Sequence, residues 1–252
     1  MLKVRNLVKR FGELYAVNDV SIDVPKHSII LLIGPNGSGK TTLLNCISGF
    51  LRPDKGKIIY CNVNITKKTP HEIAKMGLVR TFQIPLPFQK LTVLENLMVA
   101  YLSREDHGDE NILLPFFKRK CLKRDKEALI KAFRVLKLLN LDSHYDVPAN
   151  NLSGGQLKLL EIGRALMMDA KLILLDEPVG SINPVLAHQI FAHIKRLREE
   201  LGITFLIVEH RLDIAMQYAD YVYAMALGKI VSKGSPEEVV NDRKVVEAYL
   251  GA

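Results

Sequence analysis

The residues richest in chemistry run from Gly34 to Thr42, Gly-Pro-Asn-Gly-Ser-Gly-Lys-Thr-Thr. Gly34, Gly39, Lys40 and Thr41 meet the spacing G-x-x-x-x-G-K-[ST] of a phosphate-binding loop. Gly34, Gly37 and Gly39 lack a Cβ, so this stretch, with Pro35, Asn36 and Ser38, can turn back on itself with its N–H groups inward. Those donors and the positive end of a following helix form a nest for a polyphosphate. Lys40 can reach the β- and γ-phosphates as a point charge, and the Thr41 hydroxyl can ligate Mg²⁺. Thr42 is a further phosphate donor. A nucleoside triphosphate is the predicted ligand.

Other positions suit the same chemistry. Leu172-Ile-Leu-Leu175 reads as a short buried strand ending in Asp176-Glu177-Pro178. Carboxylates at the C-terminal end of a parallel strand face the crevice where α/β sheets bind ligands. There Asp176 can hold Mg²⁺ through its water shell and Glu177 can polarise an attacking water. Thr204-Phe-Leu-Ile-Val208 reads as another such strand, ending in Glu209-His210-Arg211, where His210 is placed for a phosphate contact. Ser153-Gly154-Gly155, just before Gln156, puts a capping hydroxyl and two bare backbone units at a helix start, a second anion site. The triplet alone is equally a simple cap. Phe11, on a strand end, could stack on a purine ring, and its periodicity equally allows a core position.

The elements that must position these groups follow from patterning. Ser28 to Ile33 is a buried β-strand before the loop, and Leu43 to Ser48 coils as a helix after it. Leu2 to Val24 alternates as half-buried antiparallel strands. Arg52 to Gly56 is a turn, and Lys57 to Tyr60 a strand. Thr69 caps a short helix from Pro70 to Lys75. Gly77 to Gln83 is a further strand ending on a polar glutamine. From Thr92 to about Leu141 the period turns helical, with stripes Val93, Leu94, Leu97, Met98 and Ala128, Leu129, Ala132, Val135, Leu136, Leu139. Helices are expected over Leu157–Met168, from Pro184 to Leu201 with Gly202 as cap, and from Pro236 to Leu250. Tyr221–Met225 and Lys229–Lys233 flank Gly228 as a hairpin.

With 252 residues, 48% of them hydrophobic, the chain can build a sizeable core. No apolar run nears the length that crosses a bilayer. Met1-Leu-Lys-Val-Arg-Asn has neither a long apolar core nor a cleavage site, so secretion is not expected. Cys46, Cys61 and Cys121 lack metal-ligand spacing and are expected as buried small hydrophobes in a reducing compartment. The net charge of +8 concentrates in Lys118-Arg-Lys-Cys-Leu-Lys-Arg124, which could be a solvated helix end, a membrane-surface contact or a nucleic-acid contact.

In order and spacing, Gly34–Thr42, Gln83, Leu152-Ser-Gly-Gly-Gln156, Leu172–Glu177 and His210 resemble an ABC-transporter ATP-binding subunit over essentially the whole chain. Gly77-Leu-Val-Arg-Thr-Phe-Gln83, Gly180-Ser-Ile-Asn-Pro184 and Val208-Glu-His-Arg-Leu-Asp213 most resemble the branched-chain amino acid importer branch. The resemblance implies an α/β fold: a phosphate-loop core with an N-terminal antiparallel β subdomain (1–83 and 169–252) and an inserted helical subdomain (about 84–168). It implies an ATPase with Phe11 on adenine, Gln83 touching Mg²⁺ and facing the membrane subunit, Glu177 as general base and His210 on the γ-phosphate. Ser153, Gly154, Gly155 and Gln156 would act in trans, in a head-to-tail dimer with an identical or paralogous subunit. Membrane permease subunits would dock at the Gln83 loop and helical subdomain, with an external solute-binding protein as indirect partner and no nucleic acid. The location implied is peripheral, on the cytoplasmic face of the membrane. Departures are Phe11 for Tyr, Asn183 for Asp, and His27 at a turn position usually Gly, where a positive φ is expected. An exporter of the lipopolysaccharide-extraction type, a soluble ABC ATPase and a phosphate-loop kinase are the alternatives; the Leu152–Gln156 signature argues against the last.

Overall fold

The computed structural model describes residues 1–81, 87–103, 114–180 and 182–250, with the backbone alone for 114–123. Gln83 and Cys121, and the basic run except Arg124, therefore fall outside the described side chains. Two compact units emerge, Met1–Gln83 with Lys171–Ala252, and Ile84–Ala170.

The first unit carries two sheets. Strands β1 (Leu2–Phe11), β2 (Leu14–Val24), β4 (Lys55–Tyr60) and β5 (Val63–Asn64) form an antiparallel sheet in the order β2-β1-β4-β5. Strands β3 (Ile29–Ile33), β6 (Leu78–Arg80), β7 (Leu172–Asp176), β8 (Thr204–Val208), β9 (Tyr221–Ala226) and β10 (Lys229–Gly234) form the other, in the order β10-β9-β3-β8-β7-β6. In it β10 runs antiparallel to β9 and every other pairing is parallel. All five residues of β3, β7 and β8 are buried, as strands covered on both faces require. β1 and β2 turn Leu2, Val4, Leu7, Val20, Ile22 and Val24 inward, into one apolar cluster with β3 and with helix α1 (Lys40–Ile47).

The short motifs fold as their chemistry dictates. Thr69 caps α2 (Pro70–Lys75): its hydroxyl accepts the Glu72 N–H while the Glu72 carboxylate accepts from Thr69 N at 2.8 Å. The Thr69 N–H, the Thr69 hydroxyl and Lys68 hold the Glu72 carboxyl down at about 2. Asn183 caps α6 (Pro184–Leu201) at Leu186 N, 2.9 Å, and Gly202 closes it with φ 65°. His27 adopts φ 58°, its backbone N donating to Thr204 Oγ1 at 2.9 Å. Helices α7 (Leu212–Ala215), α8 (Pro236–Val240) and α9 (Arg243–Leu250) complete this unit.

The second unit is helical: α3 (Val93–Leu102), α4 (Leu114–Leu138) and α5 (Gly154–Met167). Ala128, Ala132, Leu136 and Leu139 are buried. At Gly163 a Cβ would stand 3.0 Å from Leu97 and Leu139 side-chain carbons, so α5 closes on its neighbours through a bare backbone.

Three expectations are corrected. Leu129 lies on the outer face of α4, 38% exposed, because the buried stripe there is narrower than the sequence period suggests. Cys61 is exposed in the turn between β4 and β5, at φ 48°, although Cys46 is buried. The strand expected over Gly77–Gln83 is paired at Leu78–Arg80. β5, two residues long, carries too little pattern to be anticipated. Among the described residues no helix is long and apolar enough to cross a membrane.

Candidate functional site

β3 delivers the chain to Gly34 at φ 147°, where a Cβ would lie 2.0 Å from the Met225 carbonyl oxygen of β9. Gly39, at φ 101°, would place its Cβ 2.0 Å from Ala16 O of β2. Only glycine fits either position, so the loop is seated between the two sheets by backbone contact. Gly228 N donates to Ser38 O at 3.1 Å, and Gly34 N donates to Tyr249 Oη at 2.8 Å.

Lys40 points into this loop and is 5% exposed. Its ammonium donates to Gly34 O and Pro35 O, both at 2.9 Å, and to Ser38 Oγ at 3.4 Å. Burial pulls its pKa below the ordinary lysine value, and the charges of Glu177 and Asp176 pull it back.

The start of α1 differs from most of the other helix starts described. α2, α3, α5 and α8 each open with a capping box, whereas α1 opens at Gly39 with no side-chain cap and no acidic residue in its first turn. The first-turn N–H groups of a helix have no intrahelical partner. Left uncapped and beside a buried cation, they are donors aimed at an anion.

β7 ends at Asp176, and Glu177 follows at φ 50° with its N donating to Val208 O at 2.9 Å. Glu177 Oε1 lies 2.9 Å from His210 Nε2. Behind them Asp176 Oδ2 accepts from Arg80 Nη2 at 2.9 Å, both side chains 5% exposed. Arg80 Nη1 also donates to Asn45 Oδ1 and, at 3.4 Å, to Ser48 Oγ of the loop helix. Glu209, 1% exposed, accepts Val179 N at 2.8 Å on Oε1 and His210 N and Arg211 N at 2.9 and 3.2 Å on Oε2. Burial pushes its carboxyl up, the three N–H donors pull it down, and the Glu177 charge adds an upward push.

A cavity of about 440 Å³ joins Asn36, Gly37, Gly39, Lys40, Thr41 and Thr42 to Glu177 and His210, with Phe11, Leu14, Tyr15 and Leu227 on its apolar side. Phe11 is 49% exposed, which removes the core alternative, and Lys9 Nζ sits 5.5 Å from its ring centroid. Gly34, Pro35 and Ser38 shape the loop from behind the lining, and Asp176 stands one residue before Glu177. Thr41 and Asp176 offer oxygen donors only, a set that fits Mg²⁺.

In the second unit Ser153 Oγ accepts Gln156 N at 3.4 Å, and Gln156 Oε1 accepts Ser153 N at 2.9 Å. Gln156 Nε2 is 3.0 Å from His144 Nε2. Gly154 is exposed, and a Cβ there would meet nothing within 4 Å. Among the described residues nothing demands a glycine at 154.

Sequence reasoning missed Arg80, Tyr15, Leu227 and Tyr249, and named Glu209 only as a polar strand end. A charge inside the apolar run Gly77–Phe82 was the available signal for Arg80. Tyr249 offered none, since its partner is 215 residues away.

A family profile described as ABC transporter matches residues 17–180, and one described as branched-chain amino acid ATP-binding cassette transporter matches 229–252. The chain is 50% identical to a probable branched-chain amino acid transport ATP-binding protein LivG of Archaeoglobus fulgidus, covering 100% of this chain and 96% of the relative. It is 38% identical to the high-affinity branched-chain amino acid transport ATP-binding protein LivG of Salmonella typhimurium, covering 100% and 98%. A solved ATP-binding cassette of an ABC transporter in its ADP conformation superposes with TM-score 0.87 at 46% identity, covering 100% and 99%. A dimeric bacterial ABC transporter cassette superposes with TM-score 0.74 at 26% identity, covering 94% and 99%.

Proposed function

The chain belongs to the ABC transporter ATP-binding family, and from that premise we propose that it hydrolyses ATP to power import of branched-chain amino acids through a separate membrane permease. The observation that carries this is the uncapped start of α1 around buried Lys40, facing the Glu177–His210 pair across one cavity.

Lys40 exchanges its carbonyl partners for β- and γ-phosphate oxygens, with the N–H groups from Asn36 to Thr42 around them. Phe11 receives the adenine face on the apolar side. Thr41 and Asp176 would hold Mg²⁺, which when bound neutralises charge on the phosphates. Glu177 accepts the proton of the attacking water, and His210, hydrogen-bonded to it, orients that carboxylate and meets the γ-phosphate. Asp176 is fixed for its task by Arg80.

Ser153, Gly154, Gly155 and Gln156 complete the pocket of a second such subunit, identical or paralogous, head to tail. The open space around Gly154 supports this, since a partner's phosphate approaching that backbone explains a glycine that the chain itself does not need. The Gln83 loop and the helical residues 84–168 meet the permease at the cytoplasmic face of the membrane. An external solute-binding protein acts further upstream. The branched-chain match over 229–252 favours import over the exporter alternative.

The test is Lys40→Ala. Parent protein should hydrolyse ATP, and the variant should lose at least about a hundredfold, as when one positioned transition-state donor is removed. Cells relying on this gene should lose leucine, isoleucine and valine uptake with it. Undiminished hydrolysis by the variant overturns the assignment.

A further inference from the structure

Glu209 is one of the most deeply buried carboxylates described, at 1% exposure, and its two oxygens serve different loops. Oε1 holds Val179 N, in the turn that follows Glu177. Oε2 holds His210 N and Arg211 N, the turn that carries the imidazole. The Val179 turn has three other hydrogen bonds among the described residues: Gly180 N donates back to Glu177 O at 3.2 Å, Ile182 N to Val179 O at 3.3 Å, and Arg211 Nη1 to Ile182 O at 3.3 Å. Both loops leave adjacent parallel strands, β7 and β8, whose last register pair is Asp176 with Val208. Beyond that pair Glu177 N still bonds Val208 O, and then the strands part. From there the Glu209 carboxylate bridges the two loops by side chain.

Burying a charged group is costly unless hydrogen bonds compensate it, and here three N–H donors do so. A simple structural anchor could be a neutral group bonded to one loop. A carboxylate is the side chain that can accept from both loops at once without presenting a donor to either.

We propose that Glu209 is a positioning residue that yokes the turn after Glu177 to the His210 turn, so that the general base and its imidazole partner hold their 2.9 Å contact as one body. This rests on the reading of Glu177 and His210 given above. Glu209 touches neither substrate nor reacting atoms; it acts through them.

Glu209→Gln tests it. The amide has nearly the carboxylate's shape, but its NH₂ must face either Val179 N–H or the His210 and Arg211 N–H groups, so one tie breaks. The expected result is a kcat about tenfold or more below the parent, with the affinity for a fluorescent ATP analogue within about twofold. In a His210→Ala background the same substitution should cost less than about twofold in residual kcat, because its route to the chemistry is already cut. Glu209→Asp, one methylene too short to span both turns, should repeat the kcat loss and serves if the Gln variant fails to fold. A kcat within twofold of the parent for both variants overturns the proposal. So does an equal loss in nucleotide affinity, or a full tenfold loss persisting without His210. Loss of activity in neither Glu177→Gln nor His210→Ala would instead defeat the assignment of the site itself.

Discussion

Arg80 and Asp176 form a buried ion pair from adjacent strands, at 2.9 Å and 5% exposure on both sides. Arg80→Met keeps an unbranched stem and removes the guanidinium, leaving the carboxylate buried without its partner. Breaking a buried pair from one side costs about 3–5 kcal/mol, because an uncompensated charge remains. Lys40, whose charge feels Asp176, offsets part of that, so about 3 kcal/mol is expected. For a chain of this length that is a fall in Tm of roughly 6–12 °C. Asp176→Asn in the same chain removes the stranded charge, so the double variant should be more stable than the sum of the single losses by at least about 1.5 kcal/mol. Urea unfolding, followed by far-UV circular dichroism and tyrosine fluorescence together, separates transitions of the two units. Destabilisation below about 1 kcal/mol, or strictly additive losses, would refute the reasoning that the pair holds Asp176 in place.

Gly39→Ala forces a Cβ to 2.0 Å from Ala16 O at φ 101°, so nucleotide binding should vanish in a fluorescent-ATP titration; affinity within threefold would contradict the packing argument. Gly154→Ala should leave the stability of the lone chain unchanged or raised by up to about 1 kcal/mol, yet block ATP-driven pairing, and sizing against thermal melts checks both halves. Cys46, buried with its thiol pushed up to about 11, should resist alkylation at pH 8 until the chain is unfolded, while exposed Cys61 reacts in the native protein; peptide mass mapping reads the two apart.

Local chemistry was legible wherever a few neighbouring residues decide the outcome. The glycine loop, the Thr69–Glu72 box behind Pro70, Gly202 at the end of α6 and Gly228 in the β9–β10 turn all carry their instructions within nine residues. Phe11 was ambiguous because a strand end at period two serves core and surface alike, and only the position of the loop beside it resolves the choice. Arg80 was hidden for a different reason. Its partner is 96 residues away, and the side-by-side pairing of β6 with β7 is a property of sheet order, which no local pattern encodes. Glu209 shows the same limit: its burial is set by two loops converging from β7 and β8. Cys61 misled because cysteine is usually interior, whereas the turn between β4 and β5 puts it at φ 48° in solvent.

In the head-to-tail pairing proposed above, a second such subunit, identical or paralogous, finishes each pocket, with ATP between the two. Glu177→Gln keeps the binding groups and removes the proposed base, so closed pairs should accumulate. Size-exclusion chromatography with light scattering, run with and without Mg-ATP, reads this directly. Adding ATP should shift the protein from one chain to two, and Gly154→Ala in the same chain should reverse the shift. A Glu177→Gln protein that binds ATP and still elutes as a single chain would contradict it.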